Sequence, residues 1–197
     1  SPESSSSPEA VKLPSTSPAN AIFTLDRLTD SWEELIYERK EEKKMAFEKA
    51  KEYLKQFGLD SHVMEFEVSS ATVELAAQAV GCEPARIAKP LSFQVGEDCV
   101  LIVAAGDARI DNSKYKAQFH TKAKMLAFEE VEERIGHAVG GVCPFGVNEG
   151  VKVYLDASLK RFETLYPACG SSNSAVELTL EELERCSGYE AWIDVCK

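Results

Sequence analysis

The chain has 197 residues, with 22 Lys and Arg against 33 Asp and Glu, a formal charge of −11. At 44% hydrophobic and 28% charged it can build a packed core, whereas its longest apolar run, Cys99 to Ala105, is too short to cross a bilayer. Its acidity argues against indiscriminate binding of nucleic acid, so DNA is not an expected partner, and an RNA partner would need a local basic patch. The opening Ser-Pro-Glu shows no signal peptide, and a cytoplasmic protein is expected. The six cysteines form no C-x-x-C pair and only three His are present, so zinc-finger spacing is absent and reduced, mostly buried thiols are expected.

Residues 1–20 are rich in Ser and Pro and read as a disordered tail, because such a composition cannot repay the entropy of ordering. Residues 21–58 read as a charged helical extension, with Phe47, Ala50, Leu54 and Phe57 at helical spacing and Gly58 as a stop. It is either a surface helix resting on the main domain or a docking helix for a partner protein. The compact domain is expected over 59–197. Ser69 or Ser70 can cap a short helix that ends at Gly81, and the segment 86–95 suits a strand. Gly96-Glu97-Asp98 then turns the chain into a second strand at 99–105, a hairpin signal. Asp111 can cap a helix through Tyr115 and Phe119, and another helix covers 128–135 before Gly136.

A Gly-rich loop follows at 140–150, and strands are expected at 151–155, near 162–166 and near 175–178. Thr179 with Glu182 forms a capping box that opens a helix to about Cys186, and a strand at 192–196 closes the chain. Helices and strands are mixed without strict alternation. The expected class is α+β, a mixed sheet surrounded by helices.

Familiar catalytic patterns are missing: no G-x-S-x-G, no Walker loop, no H-E-x-x-H and no dinucleotide fingerprint. Two unusual sites remain. Lys89 sits among Ile87, Ala88, Leu91 and Phe93 at the start of a strand, where a desolvated ammonium would want an anionic or carbonyl partner; it could equally snorkel from a strand end. The loop Gly140-Gly141-Val142-Cys143-Pro144-Phe145-Gly146 lets backbone come close to a ligand and present N–H groups to an oxyanion, or it is a tight structural loop. Cys143 invites a nucleophile reading with His137 as base, though a thiol needs a lowered pKa to act.

Lys89 in A-K-P-L-S-F, the loop G-G-V-C-P-F-G, and Tyr166-Pro167-Ala168-Cys169-Gly170-Ser171-Ser172-Asn173 together resemble the YbaK/prolyl-tRNA synthetase-associated domain family over roughly residues 59–197. The resemblance implies a barrel-like YbaK fold. It also implies hydrolysis of the ester of a mischarged aminoacyl-tRNA, usually on tRNA for proline, with no metal or cofactor. By the same resemblance Lys89 matches the essential lysine, and Gly140 and Pro144 match the G-x-x-x-P loop that grips the aminoacyl ester or terminal ribose. Gly141, Val142, Cys143, Phe145, Gly146, Phe93 and Asn173 are the expected pocket walls. Where the cysteine-specific branch has G-K-R-G-L-D, this chain has Gly170-Ser171-Ser172-Asn173-Ser174-Ala175, so cysteinyl specificity is not implied.

An aminoacyl ester is already activated, so its hydrolysis needs positioning and stabilisation of developing charge rather than a strong nucleophile. A tRNA partner also needs cations. Arg109, Lys114, Lys116, Lys122 and Lys124 face only Asp111 in their window, a local charge of +4, and are the expected contacts to acceptor-stem phosphates. A synthetase could dock on the N-terminal helix.

Overall fold

The computed structural model describes residues 18–197, with side chains from Arg27 onward. Most of the tail expected at 1–20 lies outside the described residues. The chain divides into two units, 1–40 and 41–197. In the first, the described backbone is the beginning of helix α1 (Pro18–Lys55), which carries exposed Leu28, Trp32, Leu35 and Ile36. Their spacing of three and four residues sets them along one side of the helix.

The second unit holds the rest of α1 and all other elements. Phe47, Ala50 and Leu54 are buried, so the last turns of α1 belong to the core of this unit. The helix stops where Gly58 takes a positive φ of 71°. Strand β1 (Val63–Glu65) and helix α2 (Val73–Val80) follow. Thr72, rather than Ser69 or Ser70, caps α2 by accepting from the Leu75 N–H at 3.2 Å. Strands β2 (Ile87–Val95) and β3 (Asp98–Ala105) form the expected hairpin, in register from Val95↔Asp98 to Ala88↔Ala105. Seven consecutive residues of β3 are buried, which requires cover on both faces.

Helix α3 (Asn112–Phe119) is capped by Asp111, whose carboxylate accepts from Ser113 and Lys114 N–H. Its Tyr115 is fully buried between Phe93 and Phe119, with ring centroids 5.1 and 4.7 Å away. Helix α4 (Phe128–Ile135), strands β4 (Lys152–Asp156), β5 (Thr164–Pro167), β6 (Ser174–Val176) and β7 (Leu178–Thr179), helix α5 (Leu180–Ser187) and strand β8 (Ala191–Ile193) complete the chain. Thr179 and Glu182 form the capping box at the start of α5. The segment expected as one strand near 175–178 is split. Its first half pairs with β1 and its second with β5, so the chain changes sheets at Glu177.

The main sheet runs β7-β5-β2-β3-β4-β8, with parallel pairs β2–β5, β3–β4 and β4–β8 and antiparallel pairs β2–β3 and β5–β7. A two-stranded sheet, β1-β6, stands apart from it. This is the mixed α+β arrangement that the sequence implies. One feature of β2 sets up the site. On its outer edge, pairing with β5 covers only Ile87 and Ala88, and pairing resumes where Leu126 N–H donates to Ser92 O and Gln94 N–H to Lys124 O. Lys89, Pro90 and Leu91 lie in the gap.

Candidate active site

A cavity of about 450 Å³ opens at this gap. Residues 87–92 form one wall, the start of α2 (Thr72, Val73, Ala76) a second, and Met125, Phe128 and Val131 a third. Gly140 and Val142 line it from the Gly-rich loop, and Ala168 and Ala175 complete the lining. The lining is mostly apolar, so a charged group inside it needs a partner.

Lys89 is the charged residue of this lining. Its Nζ donates to the carbonyl oxygens of Ala108, at 2.6 Å, and Gly106, at 3.2 Å. Burial pulls its pKa below the ordinary lysine value, with Cys196 and Asp107 acting in the opposite direction. An ammonium has three donors, so two are engaged and one remains. Gly106 can present its carbonyl here because its backbone passes against the Pro84 carbonyl, where a Cβ would not fit.

The Gly-rich loop is fixed by close backbone packing. A Cβ on Gly141 would lie 2.6 Å from the Ser171 nitrogen and 2.7 Å from the Gly170 carbonyl carbon. The loops at 140–146 and 170–174 thus touch main chain to main chain, which only glycine allows. Gly140 has a φ of 92° and sits between Ala71 and Ser172. The Gly141 N–H is spent on the Ala138 carbonyl at 3.0 Å, so it is not a free oxyanion donor.

Lys89, Gly140 and Val142 therefore meet around one cavity, while the other residues expected as walls stand outside its lining. Phe93, Cys143 and Phe145 are core side chains with at most 2% exposure: Phe93 packs on Tyr115 and Phe145 on Tyr53. Pro144 is buried behind the loop, and Gly146 rests against Lys49 and Tyr53. Asn173 braces the segment before α2, its side-chain amide donating to the Phe66 carbonyl and its own carbonyl accepting from the Phe66 N–H. Only one side of a packed loop can face a cavity, so the loop supplies Gly140 and Val142 as walls rather than all seven of its residues.

Cys143 is no activated nucleophile. Its sulfur is fully buried, 3.7 Å from His137 Nε2, and desolvation pushes the thiol up to about 12. Desolvation lowers His137 to about 4, with Lys49 adding to the effect. A neutral imidazole beside a protonated thiol lacks the charge separation of a Cys–His pair. All six cysteines are free thiols, and among the described residues no group of three His, Cys, Asp or Glu side chains is placed to hold a metal. No helix among them is long and apolar enough to cross a membrane.

Several cavity residues gave no sequence signal. Ser70 is 6% exposed, lines the cavity, and its hydroxyl has no hydrogen-bond partner. Met125 and Phe128 are large apolar side chains left 58% and 71% exposed at the rim. The basic stretch runs between two points of the site. Arg109 follows Ala108, which holds Lys89, and Lys124 precedes Met125. Lys116 and Lys122 are exposed between them, whereas Lys114 is tied to Asp194 and the Cys196 carbonyl.

Known proteins resemble this chain in sequence and in fold. The family model "aminoacyl-tRNA editing domain" matches residues 67–186, which include Lys89, the Gly-rich loop and the 170–174 loop. An uncharacterized protein of Bacillus subtilis (strain 168), YwhH, is 53% identical over 154 residues, 78% of this chain and 98% of that one. The proline–tRNA ligase of Kosmotoga olearia is 32% identical over 90 residues, 45% of this chain but only 16% of the ligase. A crystal structure provisionally assigned as a trans-editing enzyme for prolyl tRNA synthetase superposes with a TM-score of 0.70 at 29% identity, over 77% of this chain and 97% of that one. With the family model spanning most of the compact unit and the lysine and glycine loop meeting at one cavity, this chain belongs to the aminoacyl-tRNA editing domain family.

Proposed function

We propose that this protein is a trans-acting deacylase that hydrolyses the ester of a mischarged aminoacyl-tRNA, with tRNA for proline carrying a small wrong amino acid as its substrate. The observation that carries this reading is the meeting of Lys89 and Gly140 around an apolar cavity at the gap in β2. Water attacks the ester carbonyl carbon, the bond to the ribose oxygen breaks, and that oxygen takes up a proton. Free amino acid and intact tRNA leave. Lys89 contributes its remaining N–H and its charge to the oxygen that turns negative, in a site whose apolar walls keep the interaction strong. Because the ammonium is already held by Gly106 and Ala108, little reorganisation accompanies the reaction.

Charge around the cavity favours a polyanion arriving from one direction. Arg109, Lys116, Lys122 and Lys124 are exposed on and beside α3, while α4, which supplies Phe128 and Val131 to the cavity, exposes Glu129, Glu130, Glu132 and Glu133. We place the acceptor stem on the α3 side. The test is release of labelled alanine from alanyl-tRNA for proline by the full chain and by Lys89→Ala. Loss of turnover in the variant is expected, and equal rates would sink the assignment.

A second reading is a non-catalytic module that binds tRNA or a synthetase. Exposed Leu28, Trp32, Leu35 and Ile36 on the first half of α1 favour a protein partner there. Complex formation without ester hydrolysis, lost on changing Trp32 and Leu35 to Ala, would support it.

A further inference from the structure

The gap in β2 exposes a backbone acceptor as well as a side chain. Along this strand the even-numbered residues turn their main-chain groups toward the outer edge, as Ser92 O and Gln94 N show by bonding the 124–126 segment. Alternation assigns Pro90 to the same edge. Ala88 is paired with Pro167 and Ser92 with Leu126, so Pro90 is the one even position between two paired stretches. Proline has no N–H, so nothing is lost on the donor side, but its carbonyl points into the gap. Pro90 and Ser92 both line the cavity, and Ser92 is 92% buried there, at 8% exposure.

From the Pro90 carbonyl and the Ser92 hydroxyl, the geometry points to a subsite for the α-ammonium group of the substrate's aminoacyl moiety. This inference rests on the deacylase reading and names which substrate group the β2 edge holds. A cation entering an apolar cavity needs acceptors, and the ammonium is the one cationic donor that an aminoacyl ester carries. Lys89 does not compete for the position. Successive side chains on a strand leave opposite faces, so the lysine stem departs on the face opposite to Pro90 and Ser92, and its ammonium is drawn to Gly106 and Ala108.

The experiment compares alanyl-tRNA for proline with its lactyl counterpart, in which a hydroxyl replaces the α-amine at the same size. Each enzymatic rate is taken over its own buffer rate. The wild-type protein is expected to favour the alanyl ester at least tenfold, and Ser92→Ala to narrow that preference several-fold. Equal enhancement of both esters, or an equal loss on both in Ser92→Ala, would overturn the subsite. Amide-linked alanyl- and lactyl-adenosine, which cannot be hydrolysed, are titrated in parallel by calorimetry. If neither ester is turned over, the deacylase reading fails. Tighter binding of the amine-bearing analogue then still upholds the subsite, and equal binding rejects it.

Discussion

The ammonium of Lys89 donates to the Ala108 carbonyl across 2.6 Å, joining the middle of the sheet to the chain that leads into α3. The residue that lines the cavity is therefore also a strut of the fold. Removing it should affect both properties. Lys89→Ala is expected to lose on the order of 10²–10³ in deacylation, the range for one charge-stabilising donor. It should also lose about 1–3 kcal/mol of stability, as a charged donor leaves carbonyl acceptors unpaired. Lys89→Met keeps the stem without the charge. If its rate matches the wild type while its denaturation midpoint falls, the lysine is structural only.

Ser70 should show the opposite coupling. A buried hydroxyl without a partner costs stability, and the cavity position is a reason for keeping it. Ser70→Ala is expected to raise the stability of the fold by about 1 kcal/mol. The same variant should slow turnover of mischarged tRNA. A thermal midpoint that drops, with turnover unchanged, would show that the hydroxyl is bonded in solution and plays no part in the site.

Gly141 tests whether the two loops must touch. Its missing side chain lets the 140–146 backbone meet the 170–174 backbone, and a methyl would strike main chain that cannot swing aside. Gly141→Ala should cost about 1–3 kcal/mol, the usual penalty for overpacking. Gly150→Ala has open space around the added methyl but a φ of 86°, so it reports backbone strain without a clash. A Gly141→Ala midpoint no lower than that of Gly150→Ala would argue that the loops separate freely.

Much of this fold was legible because local signals agreed. The β2–β3 hairpin follows from alternation and the Gly96 turn, α3 from its Asp111 cap, and α5 from its capping box. The end of α2 is visible at Gly81, but its cap is not, because Ser69, Ser70 and Thr72 all suit the role and the fold places Thr72 to accept from the Leu75 N–H. Lys89 and Gly140 could be named from sequence, whereas the cavity walls could not. Which side of the Gly-rich loop faces inward depends on the Gly141 contact with Gly170 and Ser171, about 30 residues away along the chain. The gap at Pro90 depends on where β5 stops, and no local pattern encodes that.

Cys143 offers a direct test against thiol chemistry. With its thiol pushed up to about 12 and its side chain fully buried, it should resist alkylation in the native protein at neutral pH. Cys143→Ala should retain deacylation within a few-fold while losing about 1–2 kcal/mol of packing. Abolished turnover in a folded Cys143→Ala protein would return the thiol to the mechanism.

His137 should make the fold sensitive to mild acid. Its imidazole is buried, with Nδ1 unpartnered, and its pKa falls from the ordinary 6.5 to about 4. A base with a lowered native pKa binds its proton more readily when unfolded, so stability present above pH 6.5 is lost as pH falls towards 4. The size is set by about 1.4 kcal/mol per pKa unit, giving roughly 3 kcal/mol across that window as an order of magnitude. Carboxylates also titrate there, so the informative quantity is the difference between the wild type and His137→Phe, which cannot take up a proton. Denaturant midpoints measured from pH 8 to pH 4 should converge for the two proteins as the pH drops, because only the wild type loses this contribution. Parallel curves would mean that His137 reaches solvent and titrates normally.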